Sequence, residues 1–193
     1  MRKNRINAFI SISDILSAFL LVIFLMLLFY IIQSRIKQET FGKKIINKIY
    51  SLVSGLENVK VDTISKKIFI KTTTFEKGSA CVRDTNTIKN IAYAIDSVFK
   101  ITEFRGRELI FFVEGYADAA PIKGRICSCG CFSNNDELSF YRAYNVRNLI
   151  IKFLGGKYEN KIFFSGYGDK MLLDTINKYS EINRRVEIRF ILQ

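Results

Sequence analysis

The chain of 193 residues contains no histidine. That absence removes the Ser-His-Asp and Cys-His nucleophile systems and any histidine-ligated metal site. No catalytic pair of another kind stands out, so no enzymatic activity is expected. Acidic residues are scarce, 18 against 30 lysines and arginines, and the net charge is +12. Such a balance favours polyanions: nucleic acid, anionic lipid or cell wall. No nucleic-acid motif accompanies it and the basic residues are scattered, so no direct nucleic-acid partner is expected. Internal repeats and low-complexity tracts are also missing.

What the chain does have is one long apolar run. From Ile15 to Ile32 there is no charged residue, and the apolar character extends back to Ala8. About 20 such residues span a bilayer core, so 8–32 is expected to be a transmembrane helix. The start, Met1 to Arg5, is basic, as in a secretory signal. However, the run ends Phe29-Tyr30-Ile31-Ile32-Gln33 without a small-residue cleavage site, which suits an uncleaved anchor better. Arg35, Lys37, Lys43 and Lys44 flank the far end, so charge alone does not fix the orientation. The usual arrangement for such an anchor is adopted: residues 1–7 as a short cytoplasmic tail, the large part outside, in the periplasm of an inner-membrane protein.

Residues 33–57 are polar, with Phe41, Ile45, Ile46, Ile49, Tyr50 and Val53 at helical spacing. They are expected to form an amphipathic linker ending near Gly55. The remaining 58–193 are enough for one domain with a real core. Val59-Lys60-Val61 and Ile68-Phe69-Ile70 look like strands, and Asp84 is placed to cap a helix carrying Ile88, Ile91, Ile95 and Val98. Leu109 to Val113 suggests a central buried strand ending at Gly115-Tyr116-Ala117-Asp118. A long polar loop to Asn135 then precedes a helix of about Glu137 to Leu154, stopped by Gly155-Gly156. Lys161 to Ser165 reads as a strand, and Arg185 to Leu192 as a last strand with one wet face. Strands alternating with helices predict a two-layer α/β sandwich behind a single N-terminal transmembrane helix.

Four cysteines, Cys81, Cys127, Cys129 and Cys131, are compatible with an oxidising compartment. Bonds within Cys127-Ser128-Cys129-Gly130-Cys131 would close very tight rings, which favours Cys81 pairing with one of the three. A four-thiolate zinc site lacks its usual C-x-x-C spacing, and free thiols are the third alternative. No resident metal or cofactor is expected.

Five motifs follow one another in order. They are Phe75 with Gly78-Ser79-Ala80; Gly115-Tyr116-Ala117-Asp118; Asn135 with Leu138, Ser139, Arg142 and Ala143; Gly166-Tyr167-Gly168-Asp169; and Asn183 to Ile188. Together they resemble the OmpA-like peptidoglycan-binding domain shared by OmpA, Pal and the B subunits of rotary stators. The resemblance implies that Asp118, Asn135, Leu138 and Arg142 form a wall-binding site. In it a carboxylate takes the ammonium of a peptide stem, a guanidinium takes its carboxylate, and Asn135 gives amide contacts and helps cap its helix. The bland alternative is an Asp118–Arg142 salt bridge that merely fixes the loop. Arg184 and Arg185 are read as anchors of the last strand. Tyr116 and Ala117 stand where the family usually has His and Thr. The loop from Asp118 to Leu138 is longer than that of OmpA and has a proline soon after the acid (Pro121), as in stator subunits.

Asp14 lies within the apolar segment, where an acid costs roughly 2.5–3.5 kcal/mol on insertion scales and usually serves an ion or proton pathway. On a helical wheel Ser11, Ser13, Asp14, Ser17 and Ala18 share one face, with Phe9, Ile12, Leu16 and Phe19 opposite. The alternative makes Asp14 the N-cap of a helix beginning at Ile15. An anchor helix with such an acid, joined to this domain, looks like the MotB family and its relative ZorB of Zorya anti-phage defence. That resemblance implies a homodimer inside a pentamer of MotA- or ZorA-like subunits, with Asp14 carrying H+ or, second to it, Na+. The frame Ser13-Asp14-Ile15-Leu16-Ser17-Ala18, the short tail and the compact chain favour the Zorya type over the flagellar one. A passive OmpA- or Pal-like tether is the alternative from a different class.

Overall fold

The computed structural model describes residues 2–75, 78–104, 108–127 and 129–192. It falls into two compact units, Met1–Phe41 and Gly42–Gln193, whose boundary lies inside one helix. That helix, α1, runs Arg2–Val53, so the segment 8–32 and the linker as far as Val53 share one unbroken helix.

In the first unit every residue from Ile15 to Ile32 is exposed. A helix that is apolar all round and uncovered by protein needs an apolar medium. Its length and composition suffice to cross a membrane. Asp14 lies well inside α1, because the helix already begins at Arg2. The alternative in which Asp14 caps a helix starting at Ile15 is therefore set aside: the preceding residues are themselves helical.

The second unit starts with the end of α1, where Ile45, Ile46, Ile49 and Val53 are buried. Tyr50, read as part of that apolar stripe, is instead 49% exposed. A hairpin follows, β1 (Val59–Asp62) and β2 (Lys67–Lys71), turned by Lys66 at φ 57°. Helix α2 (Thr85–Phe104) is capped by Asp84, whose Oδ1 accepts the Thr87 N–H at 3.0 Å. Its expected stripe of Ile88, Ile91, Ile95 and Val98 is buried, together with Phe99. Strand β3 (Leu109–Tyr116) leads into the long polar loop, which contains a small hairpin of β4 (Ile126–Cys127) and β5 (Cys131–Phe132). Helix α3 (Asn135–Phe153), β6 (Ile162–Gly166) and β7 (Arg185–Leu192) complete the domain.

The sheet order is β1-β2-β7-β3-β6, with only β3 and β6 parallel. Side chains alternate across it. Ile68, Ile70, Phe111, Val113, Val186 and Ile188 are buried on one face; α3 packs on β3 and β6, α2 packs on α3, and Phe99 of α2 meets Phe111 edge-on, giving the expected two-layer sandwich. Strand β7 departs from its expected wet face. Glu187 is 1% exposed and Arg185 is 6% exposed. These charges can be buried because they are matched: Arg185 Nε donates to Glu187 Oε1 at 2.6 Å, Lys67 reaches Glu187 Oε2 at 2.7 Å, and Arg189 reaches Glu114 at 2.5 Å. The Arg185 guanidinium also lies 3.9 Å from the Tyr116 ring centroid. Burial, with the nearby Glu187 and Glu114 charges, pushes the Tyr116 hydroxyl upward from its ordinary value.

Candidate functional site

The five motifs converge at the end of β3, and the structure gives each a physical task. The glycines are spacing residues. A Cβ on Gly115 would sit 2.0 Å from the Ser139 carbonyl oxygen, and one on Gly166 would sit 2.4 Å from the Phe140 nitrogen. Helix α3 therefore lies directly against the β3 and β6 backbones. Gly168 is left-handed, at φ 58°, and its N–H donates to Ser139 Oγ at 2.8 Å. Ser139 Oγ donates in turn to the Asp136 carbonyl at 2.8 Å, and the Ala117 N–H donates to the Gly168 carbonyl at 2.8 Å. Strand end, turn and helix start are thereby locked together.

Phe75 and Val82 pair across a tight segment in which Gly78 has φ 68°. This segment presents backbone carbonyls to α3. Arg142 Nε donates to the Ser79 carbonyl at 3.1 Å, and Asn145 Nδ2 to the Ala80 carbonyl at 2.9 Å. The Arg142 guanidinium lies 5.3 Å from the Phe75 ring centroid. At 3% exposure Arg142 is a buried cation. Burial, and after it the like charge of Arg184, pushes it down to about 10, against the opposing pull of Asp118.

Asp118 is also buried, at 6% exposure. Its partner is not Arg142. Asp118 Oδ2 accepts from Arg184 Nη1 at 2.8 Å, so the expected alternative of an Asp118–Arg142 bridge is corrected. Arg184 is also not simply a strand anchor, as the sequence suggested: it borders the site. It stands at the head of β7, where Thr72 Oγ1 donates to its carbonyl. Its Nη2 bonds Glu181 at 2.9 Å. Neighbouring Asn183 is fully buried and accepts from the Leu173 and Asp174 N–H groups at 2.8 and 2.9 Å, which shapes the loop beside the site.

Asn135 donates to the Asp118 carbonyl at 3.0 Å and to the Ala120 carbonyl at 3.1 Å. It holds the loop start, while the capping role expected of it belongs to Asn134, whose Oδ1 accepts the Glu137 N–H at 2.9 Å. Leu138 is packed into a small apolar cluster with Ala80 and Phe132 beneath the loop. It therefore supports the site from below. Among the described residues, Asp118 Oδ1 and the two terminal nitrogens of Arg142 make no hydrogen bond to protein.

The cysteines fix the rim. Cys81 is bonded to Cys129 and Cys127 to Cys131. The second bond closes the tight ring that the sequence argued against. It can form because β4 and β5 place Cys127 and Cys131 directly opposite each other, with Cα atoms 4.1 Å apart, around a turn in which Cys129 and Gly130 have positive φ. With all four sulfurs in disulfides, no thiolate set for zinc remains. Asn145 Nδ2 also donates to the Cys129 carbonyl at 2.7 Å, joining rim to helix.

Comparison with known proteins agrees with this architecture. The OmpA family model matches residues 74–189, more than half of the chain, and the chain belongs to that family. Its structure is similar to the periplasmic domain of Helicobacter pylori MotB, with 23% identity over 72% of this chain and 82% of that one, at a TM-score of 0.53. It is also similar to the cell wall anchor of the type VI secretion system from Pseudomonas aeruginosa, with 22% identity over 76% and 95% of the chains and a TM-score of 0.55. A MotB-like protein from Desulfovibrio vulgaris gives 19% identity over 81% and 96%, with a TM-score of 0.58. A search of curated proteins gives no sequence match.

Proposed function

We propose that this chain is the ion-carrying B subunit of a membrane rotary stator, held by its OmpA-like domain to peptidoglycan. The observation that carries the proposal is the position of Asp14: a carboxylate inside a continuous helix, next to a run from Ile15 to Ile32 that is apolar and exposed throughout. An acid so placed is costly unless it faces partner helices or a water-filled path, where gain and loss of a proton changes its attraction to them. A homodimer within a pentamer of MotA- or ZorA-like subunits would supply those partners. The ion is H+, with Na+ second, and the membrane is the inner membrane with the domain in the periplasm.

At the wall end, Asp118 receives an ammonium and Arg142 a carboxylate of the peptide stem, while Asn135 and Leu138 hold the loop and helix that position them. A Zorya-type defence role, rather than a flagellar one, is supported by the frame around Asp14 and by the start of the compact unit at Gly42, ten residues past Ile32. A passive tether is the second reading, favoured by the likeness to a cell wall anchor.

The test is Asp14→Asn in the chain co-expressed with a MotA- or ZorA-like subunit. Proton flux into vesicles, read with a pH-sensitive dye, is expected to fall to background while sedimentation with isolated cell walls is unchanged. Undiminished flux would leave the tether. Phage challenge and swimming assays of the same variant separate defence from motility.

A further inference from the structure

Two guanidiniums and one carboxylate share the site. Asp118 and Arg142 are buried, and the Arg184 side chain is 27% exposed. Arg184's other acid, Glu181, has a side chain 86% exposed, so water screens most of its charge. One positive charge in a largely desolvated place thus lacks a close counter-ion in the protein. On the outer face of the sheet each buried acid is paired directly, Glu114 with Arg189 and Glu187 with Arg185 and Lys67.

We propose that Arg184 is a third ligand-binding group of this site, and that it selects stem peptides presenting one ammonium and two carboxylates over stems in which one carboxylate is amidated. The proposal rests on the wall-binding reading above and adds the charge state of the stem that is bound. The ammonium meets Asp118 Oδ1, and one carboxylate meets the terminal nitrogens of Arg142. The second carboxylate takes the Arg184 Nη2 position from Glu181. That exchange is inexpensive, because it replaces a screened acid with one held in the site. A ligand carrying one net negative charge completes the balance. A neutral, amidated stem leaves the second guanidinium as it was.

The full chain in detergent micelles is titrated calorimetrically with two synthetic stem peptides, one diacid and one monoamide. The native chain is expected to bind the diacid about tenfold more tightly, the gain of one charge-assisted hydrogen-bonded pair. Arg184→Gln is expected to abolish that ratio, and Arg184→Lys to keep part of it. Glu181→Gln alters only an exposed side chain. It is expected to tighten the diacid and leave the monoamide unchanged. A ratio that persists in Arg184→Gln, or is absent from the native chain, overturns the proposal while Asp118→Asn and Arg142→Gln still weaken binding of both peptides. If neither peptide binds the native chain, the wall-binding reading falls and the proposal with it.

Discussion

Asp118 is bonded to Arg184, 66 positions away in the chain, and not to Arg142 on the helix that faces it. The acid and the arginine that the motifs set side by side are therefore held by different neighbours, the first by Arg184 and the second by the Ser79 carbonyl. Each keeps polar atoms without a partner. Asp118→Asn and Arg142→Gln should accordingly each weaken sedimentation with purified cell walls by about 10- to 100-fold, the worth of a charged hydrogen bond, without unfolding the domain.

Arg142 should weaken the fold while serving the ligand. Burial holds its folded value down to about 10, below the ordinary range of a guanidinium. For a base shifted this way the neutral form is favoured by folding, so the full penalty is present at pH 7, and stability rises only as pH climbs above about 10. Arg142→Met is therefore expected to be about 1 kcal/mol more stable than the native chain in urea unfolding at pH 7, with the difference narrowing above pH 10. Wall binding should be lost.

The two disulfides should differ in worth. Cys81–Cys129 closes a 48-residue separation and Cys127–Cys131 one of 4. Loop-closure entropy gives about 4 kcal/mol for the first and about 2 for the second. Paired serine replacements compared by chemical denaturation should show that order. Limited proteolysis should cut the 119–134 loop sooner when the long-range bond is absent.

Gly115→Ala puts a methyl group 2.0 Å from the Ser139 oxygen, between two backbones that cannot both move. A loss of about 3 kcal/mol is expected from this overpacking. Gly55→Ala, where nothing lies within 4 Å, should cost little, and thermal melts of the pair test the contrast.

Asp84→Ala should cost about 1 kcal/mol through loss of the α2 cap. Hydrogen bonds from Thr87, foremost its side chain, hold the Asp84 carboxyl below the usual carboxylate range. The contribution is thus present above the unfolded value near pH 4 and disappears as pH falls through the lower folded value. Native and variant stabilities should converge at acid pH.

Much of this was legible in the sequence because it is local. Ile88, Ile91, Ile95 and Val98 repeat at helical spacing, Leu109 to Val113 is a plain apolar run, and Asp84 stands where a cap belongs. What was not legible depends on pairing across the chain. The matching of Glu187 with Arg185 and Lys67, which hides a face that alternation marks as wet, needs the register of β2 on β7. The Cys127–Cys131 bond needs the β4–β5 register, and Arg184's approach to Asp118 needs the whole sheet. The motifs mark residues that the fold gathers at the end of β3, but they carry no information on which acid holds which base.

The backbone contacts at Gly115, Gly166 and Gly168 carry one more consequence. With helix and sheet touching there, the floor of the site tolerates no added bulk, whereas the stapled 119–134 rim hangs from a few bonds and its own crosslinks. Anyone redesigning what this scaffold holds should leave the floor untouched and graft new rims between Ala119 and Asn134.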